Sequence, residues 1–106
     1  MKNKYKIPWH VRQYVKRELM DYRKNKKLLE TYKGNTRGLL LAEKRIAQIE
    51  KVVNGLNKED ADAVEIIFFD QYTQAGAEVA HGLTKAMYYN TMNKVIYLAA
   101  LEMDLI

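Results

Sequence analysis

The stretch HGLTKAMYYNTMNKVIYLA, residues 81–99, decides the fold of the C-terminal half of this chain. Gly82 tolerates the positive φ that a tight turn requires, and Thr84 is a residue type that caps helices. After Thr84, apolar side chains recur at spacings of 4, 3 and 4, which is typical of one buried helical stripe. The members of this stripe are Tyr88, Met92, Val95 and Ala99. We therefore predict a turn at residues 82–83 and a helix over residues 84–104.

A shorter helix is predicted immediately before this turn, around residues 75–81. Ala77 and Ala80 are small enough to let the later helix cross close by, and Leu83 is an apolar turn residue that can fill the core. A short helix, a turn containing glycine and a longer helix together make the pattern of a helix-turn-helix. We expect the chain to end in this motif.

The outer side of the helix over residues 84–104 carries small, amide and basic side chains. Asparagine can pair with adenine, lysine can reach guanine or phosphate, and alanine or tyrosine can contact a thymine methyl group or the backbone. No acid lies between Glu78 and Glu102, so negative charge is kept off this helix. We predict that the helix enters the DNA major groove and contacts DNA through Thr84, Lys85, Ala86, Tyr89, Asn90, Asn93 and Lys94.

The whole chain of 106 residues is expected to be a single all-α domain of about five helices. Long stretches follow helical periodicity, and none alternates with period 2. The first helix is expected to begin near Pro8, to pack Trp9 at its end and to continue to about residue 32. Its buried stripe is predicted to be Val11, Val15, Leu19 and Tyr22.

A second helix is expected after a break at KGNTRG, residues 33–38, with Asn35 or Thr36 as its cap and Gly55 as its end. It carries an a/d heptad seam at spacings of 3, 4, 3, 4 and 3. The seam consists of Leu39, Ala42, Ile46, Ile49, Val53 and Leu56. It can pack inside the domain or against a second copy of the chain, so a homodimer is one of two alternatives.

A third helix is expected over residues 58–72. Asn57 is its predicted cap, and acids such as Glu59 and Asp60 fall in its first turn, where the helix dipole favours them. The helix dipole explains Asp60 and Asp62 better than a catalytic role does. The side chains predicted to be buried are Val64, Ile67, Phe68 and Tyr72.

Charge is distributed unevenly along the chain. Residues 1–55 hold 15 Lys+Arg and 5 Asp+Glu, a net charge of +10, whereas residues 56–106 hold 3 and 8, a net charge of −5. A basic half is typical of proteins with an anionic partner such as nucleic acid, although a solvated helix surface gives the same excess. We predict phosphate contacts from Lys16, Arg17, Arg23, Lys24, Lys26 and Lys27.

Composition disfavours several classes of protein. Cysteine is absent, which fits a cytoplasmic location and leaves no thiolate metal site. His10 and His81 are far apart, and the sequence shows neither a nucleophile–base pair nor a phosphate-cradling glycine loop, so we expect no metal, no cofactor and no enzyme activity. No apolar run approaches the roughly 20 residues of a membrane span, and the N-terminus lacks the apolar core of a signal peptide.

Residues 64–106 carry a resemblance to known proteins. VEIIFFDQY and AEVAHGLTKAMYYNTMNKVIYLAALEMDLI resemble the C-terminal part of sigma-factor region 4, and more closely the phage-encoded late-gene transcriptional regulators of the ArpU and RinA type. The pattern is a small turn, a tyrosine-rich helix and an apolar segment, and it matches at Leu83, Thr84, Tyr88, Tyr89, Val95, Ile96, Leu98 and Ala99. The turn in this chain is shorter than is usual in that family.

This resemblance implies a sequence-specific, double-stranded DNA-binding transcriptional regulator of phage or prophage origin. Residues 1–56 would form a basic helical hairpin, residues 57–106 a sigma-region-4-like part, and RNA polymerase would be a further partner. Two other functions fit the same residues. A DNA-packaging protein such as a small terminase subunit would share the helix-turn-helix but form a ring, and a helical adaptor would show no salt-dependent affinity for DNA.

Overall fold

In the computed structural model, which describes residues 5–32 and 37–106, every regular element is helical, so the predicted all-α fold is confirmed. The elements are α1 (Trp9–Met20), α2 (Tyr22–Thr31), α3 (Arg37–Asn54), α4 (Lys58–Val64) with a π-helical continuation at Glu65–Phe69, α5 (Gln74–His81) and α6 (Lys85–Glu102). The predicted cap at Asn35 or Thr36 lies outside the described residues. The predicted break at residues 33–38 lies mostly outside them too, and α3 has already begun at its last two positions.

The first predicted helix is divided into α1 and α2. Pro8, with φ −54° and ψ 140°, directly precedes α1, a place where its missing amide hydrogen costs nothing. At Asp21 the backbone takes φ −87° and ψ 2°, and α2 begins at the next residue. The amide of Asp21 still donates to the carbonyl oxygen of Arg17 at 2.9 Å, so the helical path is interrupted only briefly.

Local capping chemistry sets the end of α3 and the start of α4. The amide of Gly55 donates to the carbonyl oxygens of Lys51 and Val52 at 3.2 and 3.1 Å, which closes α3. The Oδ1 atom of Asn57 accepts a hydrogen bond from the amide of Asp60 at 2.8 Å. The predicted cap at Asn57 is therefore confirmed.

The third predicted helix is less regular than expected. Beyond α4 it widens into a π-helical segment, in which the amide of Asp70 donates to the carbonyl oxygen of Glu65 at 2.7 Å. Ile67 and Phe68 are buried as predicted. The prediction for Tyr72 is wrong: it lies beyond the end of the helix, no longer follows the buried stripe, and is 36% exposed.

The core is built around α6. Its predicted inner stripe is buried throughout, at Tyr88, Met92, Val95 and Ala99. The C-terminal half of α6 also buries other sides of the helix, through Ile96 and Ala100. Val15 and Leu19 of α1 are fully buried in the same cluster. Because α6 is enclosed on several sides, its position within the fold is tightly constrained.

The heptad seam of α3 lies in a contact within the chain. Ile46 and Ile49 are buried, with 7% and 1% of their surface exposed. Val53 and Leu56 pack against the core cluster. The remaining two members are half-buried, namely Leu39 and Ala42. A dimer built on this seam would have to compete with the packing of α3 inside the domain.

Tyr5, the first described residue, lies against α6. The ring centroids of Tyr5 and Tyr97 are 5.4 Å apart. The prediction for Trp9 is wrong: 74% of this residue is exposed, because Ile7 and Val11 supply the apolar contact with the core at this end of α1. None of the helices in the described part of the chain is both long enough and apolar enough to cross a membrane.

Candidate nucleic-acid interface

The turn between α5 and α6 is three residues long, from Gly82 to Thr84. Gly82 has φ +68°, in the left-handed region, and its amide donates to the carbonyl oxygen of Glu78 at 3.0 Å. The amide of Leu83 donates to the carbonyl oxygen of Ala77 at 3.3 Å, and the Leu83 side chain is buried. These two bonds satisfy carbonyl groups at the end of α5 that would otherwise lack partners.

Helix α6 then begins with a side-chain cap. The Oγ1 atom of Thr84 accepts a hydrogen bond from the amide of Met87 at 3.3 Å. The positive φ of Gly82, the buried Leu83 and this cap are all as predicted. Ala80 is exposed, so of the two small residues expected to allow a close crossing only Ala77, which is fully buried, lies in the contact.

Exposed side chains of α6 are concentrated in its first two turns. Of the seven predicted DNA-contacting residues, the exposed ones are Thr84, Lys85, Ala86, Tyr89 and Asn90. Met87 is also exposed on this part of the helix, by 46%. Asn93 is half-buried, because α6 enters the core at Thr91 and Met92. The most exposed part of α6 is therefore its N-terminal end.

Lys94 is directed towards α4. Its Nζ atom lies 2.8 Å from the Oδ2 atom of Asp60, and the two side chains are 35% and 21% exposed. The hydrogen bond to Asp60 raises the pKa of Lys94, so the ammonium form is favoured. Lys94 thus joins α4 to α6 rather than projecting with the exposed end of the helix.

The two adjacent tyrosines of α6 have different environments. Tyr88 is buried, and its hydroxyl donates to the carbonyl oxygen of Tyr72 at 2.8 Å. Burial raises the pKa of Tyr88 above its usual range. Tyr89 packs edge-on against Tyr88, with ring centroids 5.2 Å apart, and keeps 44% of its surface exposed. Only Tyr89 is available to a partner.

The predicted phosphate-contacting residues divide into two groups. Arg23 forms ion pairs with Glu65 and Asp70, and Lys26 forms one with Glu50, at an Nζ–Oε2 distance of 3.2 Å. The others form no ion pair with any described residue, and they are Lys16, Arg17, Lys24 and Lys27. The second group is free to meet an anionic partner.

The sequence analysis did not identify two residues that the structure places at a candidate binding site. Gln13 and Gln71 line a cleft of about 360 Å³ between α1 and the loop that leads to α5. The other lining residues are Lys16, Arg17, Met20 and Asp21. The i, i+3, i+4 spacing of residues 13, 16 and 17 signals a shared helix face. Nothing in the local sequence indicates that the Gln71 side chain contacts α1.

Within residues 5–32 and 37–106, no group of three or more histidines and acids is arranged to hold a metal ion. No family model, no curated protein and no solved structure matches the chain. The resemblance to the ArpU and RinA type of regulator therefore stays a prediction.

Proposed function

We propose that this protein binds double-stranded DNA sequence-specifically, inserts the first two turns of α6 into the major groove and regulates transcription. The observation that carries the proposal is a contrast along α6: five of its first six residues are exposed, whereas every later residue of the helix except Leu101 is buried or half-buried. In helix-turn-helix readers, the N-terminal residues of the second helix contact base edges. The same end of α6 holds Lys85, Tyr89 and Asn90 clear of the core.

The chemistry of this end suits base recognition. Asn90 offers a donor and an acceptor for adenine, Lys85 offers donors for guanine or phosphate, and Ala86 offers a methyl group to thymine. The first acid of α6 is Glu102, in its last turn. The buried Leu83 and the hydroxyl bond of Tyr88 hold this end in place, so little ordering would be needed on binding.

Phosphate contacts would come from cations that are not neutralised within the fold. Lys16 and Arg17 on α1, and Lys24 and Lys27 on α2, meet that condition among the described residues. Such contacts give affinity that falls with salt but carries little sequence information. Arg23 and Lys26 contribute less, because nearby carboxylates already compensate their charge.

The test is fluorescence anisotropy on a mixed-sequence duplex and on DNA from upstream of the protein's own operon, each titrated with salt. The wild type should bind the operon DNA more tightly and show a steep salt dependence. The double variant Lys85→Ala/Asn90→Ala should lose the preference, at about 1–3 kcal/mol for each bidentate base contact, while keeping most of its non-specific binding.

The matched control is Lys44→Ala/Asn54→Ala, which removes the same two residue types from exposed positions on α3. It should keep the preference for operon DNA. If the preference survives in Lys85→Ala/Asn90→Ala, the assignment of the reading helix is wrong. If the wild type shows no salt-dependent binding at all, the proposal of DNA binding is wrong and α6 serves a protein contact.

A further inference from the structure

We infer that the cleft between α1 and the loop before α5 binds phosphate groups, and that in the proposed complex these belong to the DNA backbone. The identity of this ligand rests on the proposed function, whereas the chemistry of the cleft does not. The cleft is a defined place with defined donors. It therefore assigns two of the four cations proposed to contact phosphate, Lys16 and Arg17, to a single site.

The cleft brings together four hydrogen-bond donors of two kinds. Lys16 and Arg17 supply positive charge, and neither forms an ion pair with a described residue. Gln13 and Gln71 supply side-chain amides. The Nε2 atom of Gln71 donates one hydrogen to the carbonyl oxygen of Met20 at 3.1 Å, and the second hydrogen remains for a ligand. Lysine, arginine and glutamine are common donors to phosphate oxygens.

The cleft is tied to the exposed end of α6 by a short path. Gln71 has φ +57°, which turns the chain so that its side chain meets α1. At the next residue, the carbonyl oxygen of Tyr72 accepts the hydrogen bond from the Tyr88 hydroxyl at 2.8 Å. The Tyr72 ring also lies edge-on to His81, with centroids 4.8 Å apart. A phosphate held in the cleft would therefore set the register of α6 against the bases.

Among the described residues that line the cleft, Asp21 is the one that opposes an anion. Its side chain caps neither adjoining helix, and it forms no ion pair with any described residue. Neutralising it should therefore leave the fold intact and strengthen binding of a phosphate. Asp21→Asn is thus a gain-of-affinity variant, which a general loss of stability cannot mimic.

The decisive comparison uses two variants with the same change in net charge. Lys16→Gln/Arg17→Gln removes both cations of the cleft, and Lys44→Gln/Lys58→Gln removes two exposed lysines from α3 and α4. With a mixed-sequence duplex, the slope of log affinity against log salt should fall by about two for the cleft variant. It should change little for the control, and Asp21→Asn should tighten binding severalfold.

Equal losses of slope in the two double variants would overturn the cleft as a phosphate site and leave the proposed DNA binding intact. A wild type that binds no DNA would instead overturn the proposed function. The cleft is then tested alone, by titrating inorganic phosphate against chloride at equal ionic strength and following the side-chain amide resonances of Gln13 and Gln71. Shifts that Lys16→Gln/Arg17→Gln abolishes would assign the cleft to free phosphate, and the absence of shifts would overturn it.

Discussion

At Gly82 the backbone lies in the left-handed region, with φ +68°, and a Cβ at this position would have no neighbour within 4 Å. The free-energy cost of adding a side chain at Gly82 therefore comes from the backbone conformation and not from steric clashes with the rest of the fold. Gly38 is a useful contrast, because a Cβ would again have no neighbour within 4 Å but the residue lies in α3. Comparing alanine substitutions at these two glycines therefore separates the effect of a positive φ on stability from the effect of the added methyl group.

We expect Gly82→Ala to lower the free energy of unfolding by about 1–2 kcal/mol, because alanine in the left-handed region brings Cβ close to the backbone. Gly38→Ala should leave it unchanged or raise it by up to about 1 kcal/mol, since alanine favours a helix. Urea denaturation of both variants measures the difference. Equal effects would mean that the turn does not require a positive φ at Gly82.

Individual capping residues were predictable, and individual ion pairs were not. Asn57, Gly82 and Thr84 act on backbone groups within a few residues of themselves, so their residue types alone indicate their roles. Lys94 and Asp60 are 34 residues apart. Their pairing depends on how α4 crosses α6, which no local pattern encodes.

In α6, the periodicity of apolar residues predicts one buried stripe but not the additional burial on other sides of the helix. Its inner stripe could be predicted, because a helix that packs on one side buries apolar residues at a regular spacing along the sequence. The helix contacts α1, α3, α4 and α5, so more than one of its faces is covered. Residues 93 and 94, predicted to face outwards, are half-buried for this reason.

The link between α4 and α6 yields a prediction about the role of Lys94. We expect Lys94→Gln and Asp60→Asn each to lower the free energy of unfolding modestly, with a coupling of about 0.2–1 kcal/mol in a double-mutant cycle, because the pair is partly exposed. For the proposed DNA binding, Lys94→Gln should leave the salt slope unchanged, whereas Lys85→Gln should lower it by about one. A similar loss of slope in both variants would place Lys94 on the DNA.

On the scale of the whole molecule, the described residues form a body with principal extents of 44 × 30 × 23 Å. The sequence predicted the helix order and most of the helix ends of this body. It left open whether the seam of α3 is internal or joins two copies, because a heptad spacing satisfies both. Ile46 and Ile49 are buried within one chain, so these two seam residues pack inside the domain. The homodimer stays a prediction.

We expect Ile49→Ala to lower the free energy of unfolding by about 2–5 kcal/mol, because the side chain is 1% exposed and its loss leaves a cavity. Leu40→Ala, at a position 53% exposed on the same helix, should cost less than about 0.5 kcal/mol. Urea denaturation at two protein concentrations should give the same midpoint for the wild type. A midpoint that rises with concentration would show that folding is coupled to assembly of two chains.

The burial pattern along α6 also determines how freely its sequence can change during evolution. Lys85, Ala86 and Asn90 can be exchanged with little effect on folding, since they contribute almost nothing to the core. Val95 and Ala99 have no such freedom, because any change of volume there is felt by the whole core. Under the proposed function, a descendant of this protein could therefore acquire a new DNA target by substitutions confined to two helical turns, without any compensating change elsewhere.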